Sequence, residues 1–161
     1  MERLWSPWRA KYLASGGDPQ ADGCVFCRLA NDKEDDETNF VVHRAEHAFI
    51  ALNLYPYISG HLLIIPYLHT GEFDSLPKKI SDEMMDLAKR SHAVLREVYS
   101  PDGFNMGMNL GSAAGAGIVD HVHIHMLPRW AGDTNFMTTV AEARVLPEDL
   151  PTTYSKLRGR F

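Results

Sequence analysis

Short apolar runs separated by polar turns fill the first part of the chain. Phe40-Val41-Val42-His43 and Ala48-Phe49-Ile50-Ala51-Leu52, with a short polar turn between them, read as a β-hairpin. Asn53 to Gly60 carries Pro56, Ser59 and Gly60 and reads as a loop. His61-Leu62-Leu63-Ile64-Ile65-Pro66 is then a third strand, ended by proline. Beyond it the period changes. Met84, Leu87, Ala88, Ser91, Leu95 and Val98 recur at helical spacing, with Ser81 the expected N-cap and Asp82 and Glu83 in the first turn. One long helix therefore runs to Ser100-Pro101. Phe104 to Leu110 and His121 to Leu127 read as the fourth and fifth strands, joined by the loop Gly111 to Gly117. Strands in series, interrupted by one long helix, predict an α+β fold on an antiparallel sheet.

The flanks show no such period. Residues 1–23 read as an irregular arm ending in the turn Ser15-Gly16-Gly17-Asp18-Pro19. Trp5 and Trp8 in that arm either pack on the core or a neighbouring subunit, or stack an indole on a base. Asn31 to Thr38 is a solvated acidic loop, and Lys156, Arg158 and Arg160 form a solvated tail. His43, His47 and His92 read as ordinary surface residues.

Composition narrows the class. With 161 residues, 45% of them hydrophobic, the chain is long enough for one well-cored domain and too short for two full ones. Sixteen Lys and Arg against 21 Asp and Glu leave a net charge of −5, which argues against gripping duplex nucleic acid through its phosphates. A nucleotide ligand would need local donors. The start of the chain has no apolar stretch resembling a signal peptide, and the longest apolar run, Leu62 to Tyr67, is far short of a membrane helix, so a soluble cytoplasmic protein is expected. The only cysteines, Cys24 and Cys27, are too close in sequence to staple a fold, and in a cytosolic chain their spacing suggests metal or redox chemistry.

The densest chemistry lies in His121-Val122-His123-Ile124-His125-Met126-Leu127. On a strand this alternation puts three imidazoles on one face, neighbours about 6.6 Å apart, and turns Val122, Ile124 and Met126 to the other. Packing alone does not select three histidines on one face. Just upstream, Asn109-Leu110-Gly111-Ser112-Ala113-Ala114-Gly115-Ala116-Gly117 is a small-residue loop whose backbone N–H groups can approach an anion. It is not a Walker loop, since no Gly-Lys-Ser/Thr follows and it leads into a strand. Together the two segments set a phosphate cradle beside nucleophilic nitrogens.

These residues resemble the histidine triad (HIT) family, whose signature His-φ-His-φ-His-φ-φ is matched at every position by His121 to Leu127. The resemblance runs from about Cys24 to Phe136 and takes in Asn53, Gly60-His61, Asn109 with the glycine loop, and Pro128-Arg129-Trp130. Where many relatives carry Gly-Gln in the loop, Ala116-Gly117 stands here, and the loop is one residue longer. Trp5-Ser6-Pro7-Trp8-Arg9 and Gly132-Asp133-Thr134-Asn135-Phe136-Met137 resemble the bacterial branch described as diadenosine polyphosphate hydrolases or phosphorylases. The resemblance implies a HIT-like fold: a five-stranded antiparallel sheet with one long helix and a short N-terminal helix, the sheet continued across a homodimer. Trp130 and Phe136 would pack at the dimer interface. The division expected is an arm over 1–23, a HIT domain over 24–137 and an extension over 138–161 that packs on the domain or the dimer.

The resemblance also implies a mechanism. His123 attacks the α-phosphorus of a nucleotide, giving a nucleotidyl-imidazole intermediate, which neutral imidazole can form near pH 7. His125 hydrogen-bonds phosphate oxygens or the departing group. N–H groups at Gly115, Ala116 and Gly117 stabilise the phosphoryl oxygens. Asn53 is the ribose contact, with His61 and Asn109 in support, and the substrate is a purine nucleotide, with adenosine the expected nucleoside. Cys24, Cys27, His69 and His121 supply two sulfurs and two nitrogens, a four-ligand set for a structural zinc; the other reading is a free or redox-active dithiol with His69 on the surface. Three functions stay open: a hydrolase, a phosphorylase that uses inorganic phosphate, and a nucleotide-binding interaction protein with little turnover.

Overall fold

The computed structural model describes residues 23–134 and 146–161. The readings of Trp5, Trp8 and Asn135 to Met137 lie outside those residues. Five strands, β1 (Val41–Arg44), β2 (Ala48–Leu52), β3 (Leu62–Pro66), β4 (Gly103–Gly107) and β5 (Ile124–Arg129), form one sheet in the order β1-β2-β3-β5-β4. Every pairing is antiparallel. Three helices accompany the sheet among the described residues: α1 (Val25–Asn31), α2 (Lys78–Tyr99) and α3 (Leu150–Leu157).

β2 and β3 are apolar at every position because both faces of the sheet are covered. Ile50, Leu52, Leu62 and Ile64 join Met84, Leu87 and Leu95 of α2, with Ile124 and Met126 of β5, in the larger core. Phe49, Ala51, Leu63 and Ile65 face the other way and pack with Phe26 and Ala30 of α1. Since Ile124 and Met126 point at α2, the histidines alternating with them stand on the α1 face.

Several boundaries differ from those expected. α2 starts at Lys78, behind Pro77, so Ser81 lies inside the first turn, its hydroxyl donating to the Lys78 carbonyl. Proline just ahead of a helix start competes well with a serine, having no N–H to leave unpaired. At the other end Ser100 adopts a left-handed conformation (φ 45°) because Pro101 bars it from the helix. β4 is shorter than expected and β5 begins at Ile124 and reaches Arg129, leaving His121 to His123 in the approach to the strand.

The tail is not simply solvated. Lys156 pairs with Glu148, Arg158 with Glu37 and Arg160 with Glu97. Glu148 also accepts from Tyr99 and Thr153, which clips α3 to α2. Nor are the three histidines read as surface residues freely exposed: His43 stacks on Phe161, the His47 N–H donates to Glu83, and His92 lies against Phe104.

Candidate active site and metal centre

The loop after β3 brings His69 back to the sheet. Val122 N–H donates to the Thr70 carbonyl at 2.8 Å, and Gly71 lies so close to Val119 that a β-carbon there would sit 2.8 Å from the Val119 carbonyl oxygen. This close approach sets His69 beside His121. At the far side the start of α1 delivers the two cysteines, Cys24 at its N-cap and Cys27 in its first turn. Cys24 Sγ lies 3.3 Å from His121 Nδ1, Cys27 Sγ 3.3 Å from His69 Nδ1 and 3.8 Å from His121 Nδ1, and the two Nδ1 atoms are 3.3 Å apart. The four ligand atoms all lie within 4.8 Å of one another. A tetrahedral zinc with bonds of about 2.3 Å to sulfur and 2.0–2.1 Å to nitrogen separates S from N by about 3.5 Å and N from N by about 3.3 Å. The N–N distance of 3.3 Å and the three S–N distances of 3.3, 3.3 and 3.8 Å fall close to those spacings. His121 Nε2–H donates to the Pro66 carbonyl at 2.8 Å, which leaves Nδ1 unprotonated and turned to the cysteines, as a ligand must be. Burial holds its pKa down to about 4. Desolvation raises the Cys27 thiol, with Cys24 adding to it, an effect that a cation bound by the sulfurs would oppose.

The backbone of this same His121 orients the next histidine. His123 Nδ1–H donates to the His121 carbonyl at 2.9 Å, so the unprotonated nitrogen of the neutral ring is Nε2. Burial lowers the His123 pKa, the carbonyl bond opposing it in part, and the ring is therefore uncharged at neutral pH. Phe26, in the middle of the cysteine motif, sets its ring against both His121 (5.4 Å) and His123 (4.8 Å).

His125 is oriented from behind. Tyr57 N–H donates to His61 Nδ1 at 3.1 Å, and a backbone amide can only donate, so in the neutral ring the proton of His61 sits on Nε2. That atom is 2.9 Å from His125 Nδ1, which must accept, and the His125 proton is thereby placed on Nε2. Asn53 Nδ2 lies 3.3 Å from His61 Nδ1, and its Oδ1 accepts from Tyr55 N–H. His61 is buried (1% exposed) and so works from behind His125.

Of the residues expected from sequence, Cys24, Cys27, His69 and His121 thus meet in one cluster, and Asn53, His61 and His125 in one hydrogen-bonded row beside His123. Gly107, the last residue of β4, pairs with His125, so Asn109 follows two residues beyond the end of that pairing. The glycine loop leaves the sheet beside His125 and returns at His121, with Ile118 packed on the α1 side. Gly111 and Gly115 have φ of 79° and 86°, and the N–H groups of Gly115 and Ala116 close a tight turn on Ser112 and Gly111. Sequence reasoning missed Tyr57, Phe26 and the Pro66 carbonyl. Two of these act through backbone atoms, which side-chain identity does not reveal; Phe26 was within reach, lying between the cysteines. Past His125 the same face of β5 runs through Leu127 and Arg129 into a cleft of about 680 Å³, lined also by Tyr57, Asn105 and Trp130.

Comparison with known proteins agrees with this architecture. Residues 34–132 match the model of the HIT domain. The chain is 37% identical over 157 residues to an AP-4-A phosphorylase of Mycobacterium tuberculosis, covering 95% of this chain and 80% of that protein. It is 29% identical over 106 residues to the adenosine 5'-monophosphoramidase of Saccharomyces cerevisiae, covering 66% of this chain and 62% of that one. Among solved structures, a zinc-bound histidine triad family protein from Mycobacterium smegmatis superposes with a TM-score of 0.69 at 26% identity, covering 87% of this chain and 94% of that one.

Proposed function

This chain belongs to the HIT domain family, and from that premise we propose that it is a nucleotide-processing enzyme that cleaves adenylylated compounds, dinucleoside polyphosphates among them, at the α-phosphate. The observation that carries the reading is the pair of fixed tautomers. His123 has its Nδ1 proton engaged by the His121 carbonyl, leaving an Nε2 lone pair free to attack phosphorus. His125 has its Nε2 proton assigned by the Tyr57 and His61 bonds, so it can donate to a phosphoryl or leaving oxygen.

The reaction then runs in two displacements. His123 Nε2 forms a bond to the α-phosphorus as the bond to the leaving phosphate breaks; the leaving group takes a proton through His125. An acceptor oxygen next attacks the nucleotidyl-imidazole, giving its proton back and releasing His123. Asn53 serves as the ribose contact and Asn109 attends the phosphoryl oxygens; the Gly115 and Ala116 N–H groups expected to share that role instead donate within the turn to Ser112 and Gly111. The cleft beyond Leu127 offers room for the second half of a dinucleoside substrate. Likeness to the M. tuberculosis phosphorylase over nearly the whole chain favours inorganic phosphate over water as the acceptor. Phosphate converts diadenosine tetraphosphate to ADP and ATP; water converts it to AMP and ATP.

Cys24, Cys27, His69 and His121 hold a structural zinc in this reading, because four protein ligands leave no position for water. The ion would tie α1 to the approach of β5. The exposed edge of β4, where Met106 is 52% exposed, supports a homodimer in which two sheets pair edge to edge. The test of function is to mix the protein with an adenosine nucleotide bearing a good leaving group, quench, and search by mass spectrometry for an adenylyl adduct on His123. Absence of both adduct and nucleotide release across several such substrates would instead favour a nucleotide-binding protein with little turnover.

A further inference from the structure

We propose that Cys24 and Cys27 are a site of reversible oxidation, at which a peroxide converts the two thiolates to a disulfide, expels the ion they share and disengages His123. This rests on the metal and nucleophile readings above. Both cysteines are free and only half-buried, and their sulfurs lie within the 4.8 Å cluster. Their Cys-x-x-Cys spacing is the one redox dithiols use. His69, the third member, is exposed, so the quartet opens at the surface to a small oxidant.

The step balances with peroxide as the oxidant. One thiolate attacks a peroxide oxygen; the O–O bond breaks, one water leaves after protonation, and a sulfenic acid remains. The second thiolate attacks that sulfur, forming the S–S bond and displacing the hydroxyl as a second water. Two electrons pass from sulfur to oxygen. Two of the four ligands are then lost, and two imidazoles alone hold a divalent ion weakly.

The route from that loss to the chemistry is one residue long. Without a shared cation, His121 Nδ1 keeps at most a hydrogen bond from His69 Nδ1–H at 3.3 Å, and the sulfurs that flanked it are drawn into the disulfide. The His121 ring cannot simply swing away, because its Nε2–H is tied to the Pro66 carbonyl. What the ion no longer fixes is the His121 backbone, whose carbonyl oxygen orients His123. Oxidation of Cys24 and Cys27 at the start of α1 thereby reaches the nucleophile without any oxidant touching a histidine.

The experiment uses the full chain as purified. Zinc content and turnover of diadenosine tetraphosphate are read first; a preparation lacking zinc or turnover at that stage defeats the underlying readings, before any oxidant is added. Hydrogen peroxide is then titrated while zinc release is followed with a chromogenic chelator, and intact mass and tryptic mapping follow the disulfide. Zinc release, a Cys24–Cys27 disulfide and a fall in turnover of at least about tenfold should advance together, as loss of an outer-shell support commonly does. Dithiothreitol with added zinc should restore all three, whereas methionine oxidation would not be reversed by thiol. A disulfide with full turnover overturns the proposal. So does lost turnover with zinc and thiols intact.

Discussion

The Nδ1–H of His123 is held by the carbonyl oxygen of His121, 2.9 Å away, so the residue that would ligate a metal through its ring orients the nucleophile through its backbone. Replacing His123 by alanine removes the attacking nitrogen but none of the groups expected to hold a nucleotide. Turnover should fall by more than about a hundredfold, beyond the lower range for a single acid–base group, while AMP still binds by calorimetry. Activity within tenfold of wild type would falsify the covalent route.

His61 is a positioning residue in this scheme, and two substitutions separate its proton-directing role from its bulk. Glutamine can accept from Tyr57 N–H through its oxygen and donate to His125 Nδ1 through its amide nitrogen; leucine can do neither. His61→Leu should lower kcat by about tenfold to a hundredfold, with KM little changed and His61→Gln retaining most of the rate. Equal losses in both variants, after thermal melts confirm folding, would reduce His61 to a packing residue.

Metal analysis of protein prepared without chelator should return about one zinc per chain, lost in Cys24→Ser/Cys27→Ser, and stability should fall with it. Gly71→Ala offers an independent approach to the same centre. Its β-carbon would meet the Val119 carbonyl oxygen at 2.8 Å, so the Thr70 to Val122 contact must open. A cost of about 1–3 kcal/mol is expected in urea melts, together with weaker zinc retention. A variant that keeps both stability and zinc would show that the close approach does not hold His69 in place.

Asp133 sets a pH dependence away from the histidines. It accepts from Arg129 Nε and Nη2, from Trp130 N–H and from Thr134, and these bonds hold its carboxyl well below the usual carboxylate range. A depressed folded-state pKa means stability that is fully present above the unfolded value of about 3.9 and is lost as pH falls below it. Melting temperature should therefore drop more steeply below about pH 4 in wild type than in Asp133→Asn. Parallel acid profiles would show that the contact with Arg129 contributes nothing to folding.

The five strands and the histidine face were legible because β2 and β3 are apolar throughout and the histidines alternate, patterns that side-chain identity carries directly; the order β1-β2-β3-β5-β4, with β5 inserted between β3 and β4, was not, because it depends on which edges pair. The metal quartet was legible through a family resemblance, since nothing local to His69 marks it as a ligand. The helix start was misread at Ser81 because a good capping residue also fits inside a first turn, where its hydroxyl can bond a preceding carbonyl. The roles of Tyr57 and Pro66 could not be read at all: what they contribute is a peptide N–H and a peptide C=O, which every sequence supplies everywhere.

Cys24 and His121 meet across 97 positions of chain. During synthesis the two cysteines and His69 emerge long before the fourth ligand, and an incomplete quartet retains a divalent ion poorly. The loop is closed by the pairing of β3 with β5, which supplies His121 next to Pro66. With a zinc held as proposed, tight uptake would mark the emergence of β5 during synthesis: a ribosome-bound fragment ending before His121 should exchange zinc freely, and one extending through β5 should keep it.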